Sequence, residues 1–342
     1  LSPDIGNDRY WRNLFRLGSN HTYKEDSLLR VAFDFTVLRG DEDNDIVGRG
    51  QVEDYDRYAL TFINEHRFTN VWSTNADVSF VRGDFEETDP EVADAVIGEI
   101  APGSDLVVNE SNLSNDLDEY YARLGVNNSS SARNIFSLFY DYTGARYEEV
   151  LREDIDIHQG TLGWRHDYSP NIYTSLGIGP SYVKPEIQDE KWDWNGIAEL
   201  NYTIQRGNIG FIVEKGFAVD NFSGSGDRGF VDFWDVRLAG NYNLTQYLAL
   251  RAELGYLFED RSDPAVAAGR LIATGETIGD VGEEGIAELE QYERDRYRAG
   301  LGVSYTFLRN FTASVDYFYL KQETDRFNDN YDDNRILLTI SW

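Results

Sequence analysis

The fold is decided by the last stretch of the chain, Arg335-Ile336-Leu337-Leu338-Thr339-Ile340-Ser341-Trp342. Side chains along a β-strand point alternately to its two faces, so residues two positions apart share a face. The apolar face takes Ile336, Leu338, Ile340 and Trp342, and the other face takes Arg335, Thr339, Ser341 and one exception, Leu337. The stretch predicts a strand with one apolar face, one mostly polar face and an aromatic residue at its end.

The same alternation recurs along the chain and predicts an all-β protein. In the stretch 247–259, for example, Leu250 and Leu254 face one way, whereas Arg251 and Glu253 face the other. Counting such stretches from residue 29 onward gives about 14 strands. The alternative is about 16, because a closed antiparallel barrel needs an even number of strands.

Composition excludes several classes of protein. No apolar run is long enough for a transmembrane helix, and mean hydropathy is -0.51. The chain has no cysteine, which removes disulfides, thiolate chemistry and cysteine-based metal sites. A formal net charge of -30 argues against a nucleic-acid partner, since phosphates need a basic surface.

Connections between the strands are sorted by length: short turns alternate with long, acidic connections, including insertions at about 84–119 and 260–290. With the terminal aromatic, this organisation resembles the porin-like outer-membrane β-barrels of Gram-negative bacteria. The Tyr- and Asp-rich strands are also similar to barrels associated with exopolysaccharide export. A soluble β-sandwich is the alternative that periodicity alone leaves open.

The resemblance implies a single closed antiparallel transmembrane β-barrel in the bacterial outer membrane, with short periplasmic turns and long acidic extracellular loops. It implies that Trp342 is the membrane-insertion signal. The implied partners are outer-membrane lipid and lipopolysaccharide, the barrel-assembly machinery and an envelope protein. We expect residues 28–342 to form the barrel and residues 1–27 to form a periplasmic arm, a plug or a first strand.

Charged side chains on the polar faces of four strands are the candidate functional residues. Lys or Arg costs about 2–4 kcal/mol at the midplane of a barrel's lipid-facing side, so these faces should point inward. The predicted pore-lining residues are Asp235, Arg237, Arg251, Glu253, Arg294, Arg296, Arg298 and Asp316. They form either a basic ladder that attracts anions or a set of Arg–carboxylate pairs that stiffen the wall.

Metal binding and catalysis have few candidates in the sequence. Asp41, Asp43 and Asp45 are candidate ligands for Ca²⁺ in a long acidic loop, although the spacing lacks the Gly and distal Glu of an EF-hand. A solvated charged loop is the alternative. His158 lies beside acidic residues near a long connection, but no serine elbow or paired histidine set accompanies it. We therefore expect no cofactor and no enzyme activity.

The expected function is that of a porin-like channel for passive passage of small hydrophilic solutes or ions through a polar lumen. The alternatives are an export conduit, for example for exopolysaccharide, a docking barrel that works with partner proteins, and an outer-membrane hydrolase.

Overall fold

The computed structural model describes residues 11–24, 27–39, 55–85, 116–148, 154–186, 189–219, 229–262, 291–308, 311–324 and 330–341. These residues form strands with no helix among them. The strands are β1 (Trp11–Lys24), β2 (Ser27–Arg39), β3 (Tyr55–Arg67), β4 (Trp72–Phe85), β5 (Leu117–Ser131), β6 (Asn134–Tyr147), β7 (Ile155–Ser169), β8 (Ile172–Pro185), β9 (Lys191–Ile204), β10 (Gly207–Val219), β11 (Phe230–Asn243), β12 (Leu248–Ser262), β13 (Gln291–Leu308), β14 (Phe311–Thr324) and β15 (Tyr331–Ser341).

The strands form one antiparallel sheet in which every strand pairs with its neighbours in sequence. The predicted all-β antiparallel class is confirmed. Short connections, such as residues 132–133 between β5 and β6, leave one end of the sheet, and longer ones leave the other. Among the described residues there is no helix long and apolar enough to cross a membrane.

The described strands number 15, one more than the predicted 14 and one fewer than the alternative of 16, because a strand precedes those counted from residue 29. Trp11–Lys24 forms β1 and pairs with β2 along its length, including Phe15 with Phe35. Arg16 adds an ion pair to Asp34 with 2.6 Å between Nε and Oδ1. The described sheet therefore has 15 strands. The division of the chain into an N-terminal segment and a barrel stays a prediction.

The described sheet is not closed, because β1 and β15 each pair with a single described strand. In an antiparallel sheet of 15 strands the first and last run in the same direction. Two such edges cannot complete an antiparallel ladder with each other. The closed barrel that the sequence predicted is therefore not shown by these strands.

The sheet is curved, and its two faces differ. Side chains on one face reach past an intervening strand: Thr161 of β7 donates to Asn195 of β9 at 2.8 Å, and Gln159 of β7 donates to the Phe217 carbonyl of β10 at 3.0 Å. Because neighbouring strands are about 4.8 Å apart, such contacts require that face to be concave. We call it the inner face.

The opposite, outer face carries a broad field of exposed apolar side chains, among them Leu162, Ile178, Leu254, Leu301, Leu338 and Ile340. A soluble protein rarely exposes so large an apolar surface. Buried apolar side chains gather instead near the long connections. One cluster holds Ile155, Ile157 and Val183 of the inner face together with Phe217 and Phe230, and the other holds Tyr55, Phe85 and Leu117 of the inner face.

Candidate functional site

The eight predicted pore-lining residues share the inner face of β11–β14. The register aligns Arg237 with Gly255 and Arg298, and aligns Arg251 with Gly302 and Asp316. Strand alternation therefore places the charges on one face, as the sequence predicted from their spacing. Whether they line a pore stays a prediction, since it depends on closure of the sheet.

Ion pairs that pass over a strand organise the middle of this face. The Arg251 guanidinium of β12 contacts both oxygens of Asp316 on β14, at 2.7 and 2.8 Å. Asp235 lies between Arg237, at 3.1 Å, and Arg298, at 3.5 Å. These contacts match the ion-pair alternative, in which arginines stiffen the wall.

Gly302 of β13 makes the Arg251–Asp316 pair geometrically possible. It lies between these two residues in the register. A Cβ atom at Gly302 would collide with Oδ1 of Asp316 and approach Nε of Arg251 to 3.0 Å. The lack of a side chain is therefore what lets a β12 side chain reach β14.

A second group of charges is buried near the long-connection end of β12 and β13. Glu259 accepts from Arg294 at 2.7 Å and from Arg261 at 2.8 Å, and Arg296 approaches it to 3.6 Å. Arg294 has no exposed surface, and Arg261 is 3% exposed. Three guanidinium groups therefore lie around one carboxylate in this part of the inner face.

The sequence identified Arg294 and Arg296 but missed Glu259 and Arg261 as site residues. Their signal was present, since both continue the inner-face alternation of Arg251 and Glu253 along β12. Their burial could not be read from the alternation. The alternation is the same at both ends of β12, and only the packing at the long-connection end separates buried from exposed positions.

An acidic group surrounds Arg82 on the outer side of the long-connection end. The guanidinium contacts Asp84 and Asp116 at 2.9 Å, Glu148 at 3.3 Å and Asp118 at 3.4 Å. Asp116 lies just before β5 and accepts the backbone N–H of Phe85 at 3.1 Å. Burial raises the pKa of the Asp116 carboxyl, with neighbouring carboxylates adding to the shift.

The predicted Ca²⁺ ligands and the predicted membrane-insertion signal lie outside the part of the chain that the structure describes. Asp41, Asp43, Asp45 and Trp342 lie outside the described residues. Within the described ranges there is no group of three or more His, Cys, Asp or Glu side chains that could hold a metal ion. Their assignments stay predictions.

His158 is part of an aromatic stack. Its Nδ1 lies 2.7 Å from the Tyr140 hydroxyl, and its ring stacks against Tyr182 at 6.0 Å between centroids. The position is on the outer face, since His158 alternates in phase with the exposed Leu162. This surrounding explains the histidine as an aromatic contact.

Comparisons with known proteins were made by family, by sequence and by structure. No family model matches the chain. A curated protein, "Uncharacterized protein YaiT" from Salmonella typhimurium, is 24% identical over 184 residues, which is 53% of this chain and 18% of that protein.

Two solved transporters share the fold. The FrpB iron transporter from Neisseria meningitidis matches over 92% of this chain and 52% of its own, with a TM-score of 0.58 and 8% identity. The copper transporter OprC matches over 98% of this chain and 57% of its own, with a TM-score of 0.51 and 10% identity. The chain thus spans about half the length of these structures.

These matches are with outer-membrane barrels and agree with the exposed apolar outer face. The protein is located in the outer membrane. The predicted localisation is therefore confirmed, whereas the porin-like and exopolysaccharide-export groups are not. The two solved structures are transporters rather than enzymes.

The prediction of a passive, porin-like channel is wrong. The solved structures that share this fold, FrpB and OprC, are iron and copper transporters and not passive porins. Alternation describes the wall of a barrel but carries no information on what drives a solute through it, which is why the sequence misled here.

Proposed function

We propose that this protein is an outer-membrane transporter that takes up its substrate actively through the interior of a closed barrel. The observation that carries the proposal is burial of the inner face at the long-connection end. Leu117, Val183 and Arg294 have no exposed surface there. A diffusion channel needs a wetted wall along its whole length, so a solute would pass here only after a rearrangement.

Closure of the barrel is part of the proposal, and the strand number restricts it. Open edges in a bilayer would leave unpaired backbone groups in hydrocarbon, at a cost of several kcal/mol each. Because β1 and β15 are parallel, the barrel closes either through one parallel pair or through an odd number of further antiparallel strands.

The substrate class follows from charge. The guanidinium groups of Arg261, Arg294 and Arg296 gather around Glu259 on the inner face. A carboxylate-rich chelate is an anion that guanidinium groups bind well. Since the similar structures include iron and copper transporters, an anionic chelate of such a metal is the proposed substrate class.

Active uptake also implies a partner in the cell envelope, because an outer membrane holds no ion gradient of its own. The transporters that share the fold support a partner protein in the envelope, without identifying it. Lipopolysaccharide and the assembly machinery stay predicted partners.

The test is accumulation of radioactive iron by cells that express the full chain. Ferric citrate, an anionic chelate, should accumulate, and an ionophore that collapses the proton gradient should abolish the uptake. Ferrioxamine B, a cationic chelate, serves as the control and should accumulate much less. Uptake that persists in the presence of the ionophore would contradict active transport, and equal uptake of both chelates would contradict the anionic substrate class.

A matched pair of variants assigns the uptake to the buried cluster. Arg296→Gln lowers the positive charge of the cluster and should reduce ferric citrate uptake. Arg298→Gln makes the same change one inner-face position away, where the side chain is exposed, and should retain more of it. Equal losses would mean that the cluster has no special part in binding.

A further inference from the structure

The ladder between β9 and β10 stops before either strand ends. Their pairing runs from Ile204 with Gly207 to Gly196 with Lys215. Residues 191–195 of β9 and 216–219 of β10 continue as strand beyond that point. Each remains paired on its other side, β9 with β8 and β10 with β11. We call these two facing segments the upper seam.

Side chains satisfy backbone groups at the upper seam where a facing strand would normally do so. The Gln159 amide donates to the Phe217 carbonyl at 3.0 Å, and the Lys215 ammonium donates to the Trp194 carbonyl at 3.4 Å. The Trp194 N–H donates to its neighbour Asp193 at 2.8 Å. Side chains change rotamer far more readily than a β-ladder breaks, so this part of the wall can separate without loss of ladder bonds.

An ion pair closes the upper seam. Lys215, 8% exposed, contacts Asp193 of β9 and lies 3.3 Å from Asp232 of β11. Alternation assigns Asp193 to the inner face and Lys215 to the outer face, so the pair runs through the sheet. This also accounts for a lysine among apolar outer-face residues, since its charge is neutralised inside the wall.

Apolar surface lies on both sides of the upper seam. On the outer face a groove of about 490 Å³ adjoins it, with Gly196 and Ala198 as small residues between the larger Leu162, Ile178, Trp194 and Trp234. On the inner side lie Ile157 and Val183 of the buried apolar cluster, which Phe217 joins from β10. A hydrophilic solute gains no favourable free energy from contact with these apolar surfaces. An apolar chain gains about 0.8 kcal/mol for each CH₂ group that it buries there.

We infer that the upper seam is a lateral opening through which a single acyl chain passes between the interior and the outer-face groove. The groove faces the hydrocarbon of the membrane in which the protein is located, which makes an acyl chain its natural occupant. The inference rests on the proposed function only in requiring a closed barrel with an interior. It adds an apolar chain to the molecules that the protein handles.

Locking the upper seam with a disulfide tests this inference. A Cβ atom at Gly216 would lie 3.8 Å from Cβ of Asn195, which is the usual separation in a disulfide. The chain has no native cysteine, so N195C/G216C forms one defined cross-link. The reduced form of the same variant is the matched control for the substitutions. N201C/G210C joins the same two strands where their ladder is complete.

The probe is palmitic acid carrying a photoreactive diazirine, added to the full chain in lipid nanodiscs, with labelled residues mapped by mass spectrometry. Reduced N195C/G216C should be labelled both in the groove, at Leu162 and Ile178, and on the inner side, at Ile157 and Val183. Oxidation should abolish the inner-side labelling and spare the groove. Oxidised N201C/G210C should retain labelling both in the groove and on the inner side. Inner-side labelling that survives the lock would overturn the inference.

A variant without engineered cysteines provides a second test. Ala198→Phe fills the outer groove and should abolish its labelling. Ala252→Phe, in a separate outer-face groove of about 420 Å³ that adjoins no seam, should leave labelling at Leu162 unchanged. Unchanged labelling in Ala198→Phe would overturn the groove assignment. Absence of ferric citrate uptake by the wild-type chain would contradict the proposed function and leave these labelling results standing.

Discussion

At the scale of single residues, the absence of a side chain at Gly302 positions the ion pair at the centre of the inner face. We predict that Gly302→Ala displaces Asp316 from Arg251 and lowers the free energy of unfolding by about 1–3 kcal/mol, the usual cost of overpacking. Urea titration of the protein folded in lipid vesicles measures the change.

Gly210→Ala is the matched control for this substitution. Gly210 also lies on the inner face of a strand, but an added Cβ would meet only the Asn201 side chain, at 3.6 Å. We expect a change within about 0.5 kcal/mol there. A loss as large as that of Gly302→Ala would show that strand glycines, and not this particular pair, account for the effect.

The buried carboxylate of Glu259 permits a second prediction at the residue scale. Glu259→Gln leaves three guanidinium groups without their shared counter-charge, and breaking a buried ion pair costs about 3–5 kcal/mol. The expected result is a large fall in the urea midpoint. Glu253→Gln, on the same face of the same strand but exposed, should be nearly neutral. Equal midpoints for the two variants would contradict the importance of the cluster for stability.

At the scale of the elements, β1 decides the strand count, and its placement in the membrane can be tested. Leu17 is 63% exposed on the outer face, whereas Asn20 lies on the inner face. If β1 spans the membrane, Leu17→Lys should cost about 2–4 kcal/mol near the midplane of the bilayer, and Asn20→Lys should cost little. Unfolding in lipid vesicles measures both.

Equal stability of these two lysine variants would place β1 outside the bilayer. It would then act as an arm that pairs with the edge of the sheet, which was one of the three forms expected of residues 1–27. Comparing the two lysine variants therefore tests whether residues 1–27 are separate from the membrane-spanning part of the chain, which the strand pairing alone does not decide.

Periodicity predicted most elements correctly because period-two alternation is a direct consequence of strand geometry. It left β1 out of the count, because Asn13, Ser19 and His21 interrupt the apolar row on the outer face of that strand, and pairing with β2 establishes the strand. Alternation also puts Lys215 on the apolar outer face, where a charge is unexpected. The ion pairs with Asp193 and Asp232 that explain the lysine join three strands, and no local pattern encodes them.

The candidate site could also be predicted only in part. Alternation placed the inner-face charges of β11–β14 together, since a shared face needs only the register. The partners of each charge depend on which strands lie two apart and on where a glycine lies between them, as Gly302 does between Arg251 and Asp316. Such contacts across a strand require the curvature of the sheet, which the sequence does not state.

At the scale of the whole molecule, one feature distinguishes the described sheet from the wall of a water-filled channel. The inner face is packed at the long-connection end. The outer face carries a broad apolar surface, which agrees with a location in the outer membrane. The two faces of the sheet are therefore those of an outer-membrane protein whose inner face is packed at one end.

The most direct test of this account is the conductance of the purified, folded protein in a planar lipid bilayer. The packed inner face predicts no steady current at moderate voltage. A porin of similar size, measured in the same membrane, confirms that insertion is detectable. Glu259→Gln should admit transient currents if loosening the cluster opens the path. A steady, voltage-independent current through the unmodified protein would contradict the account, because it would show a continuously open, water-filled channel.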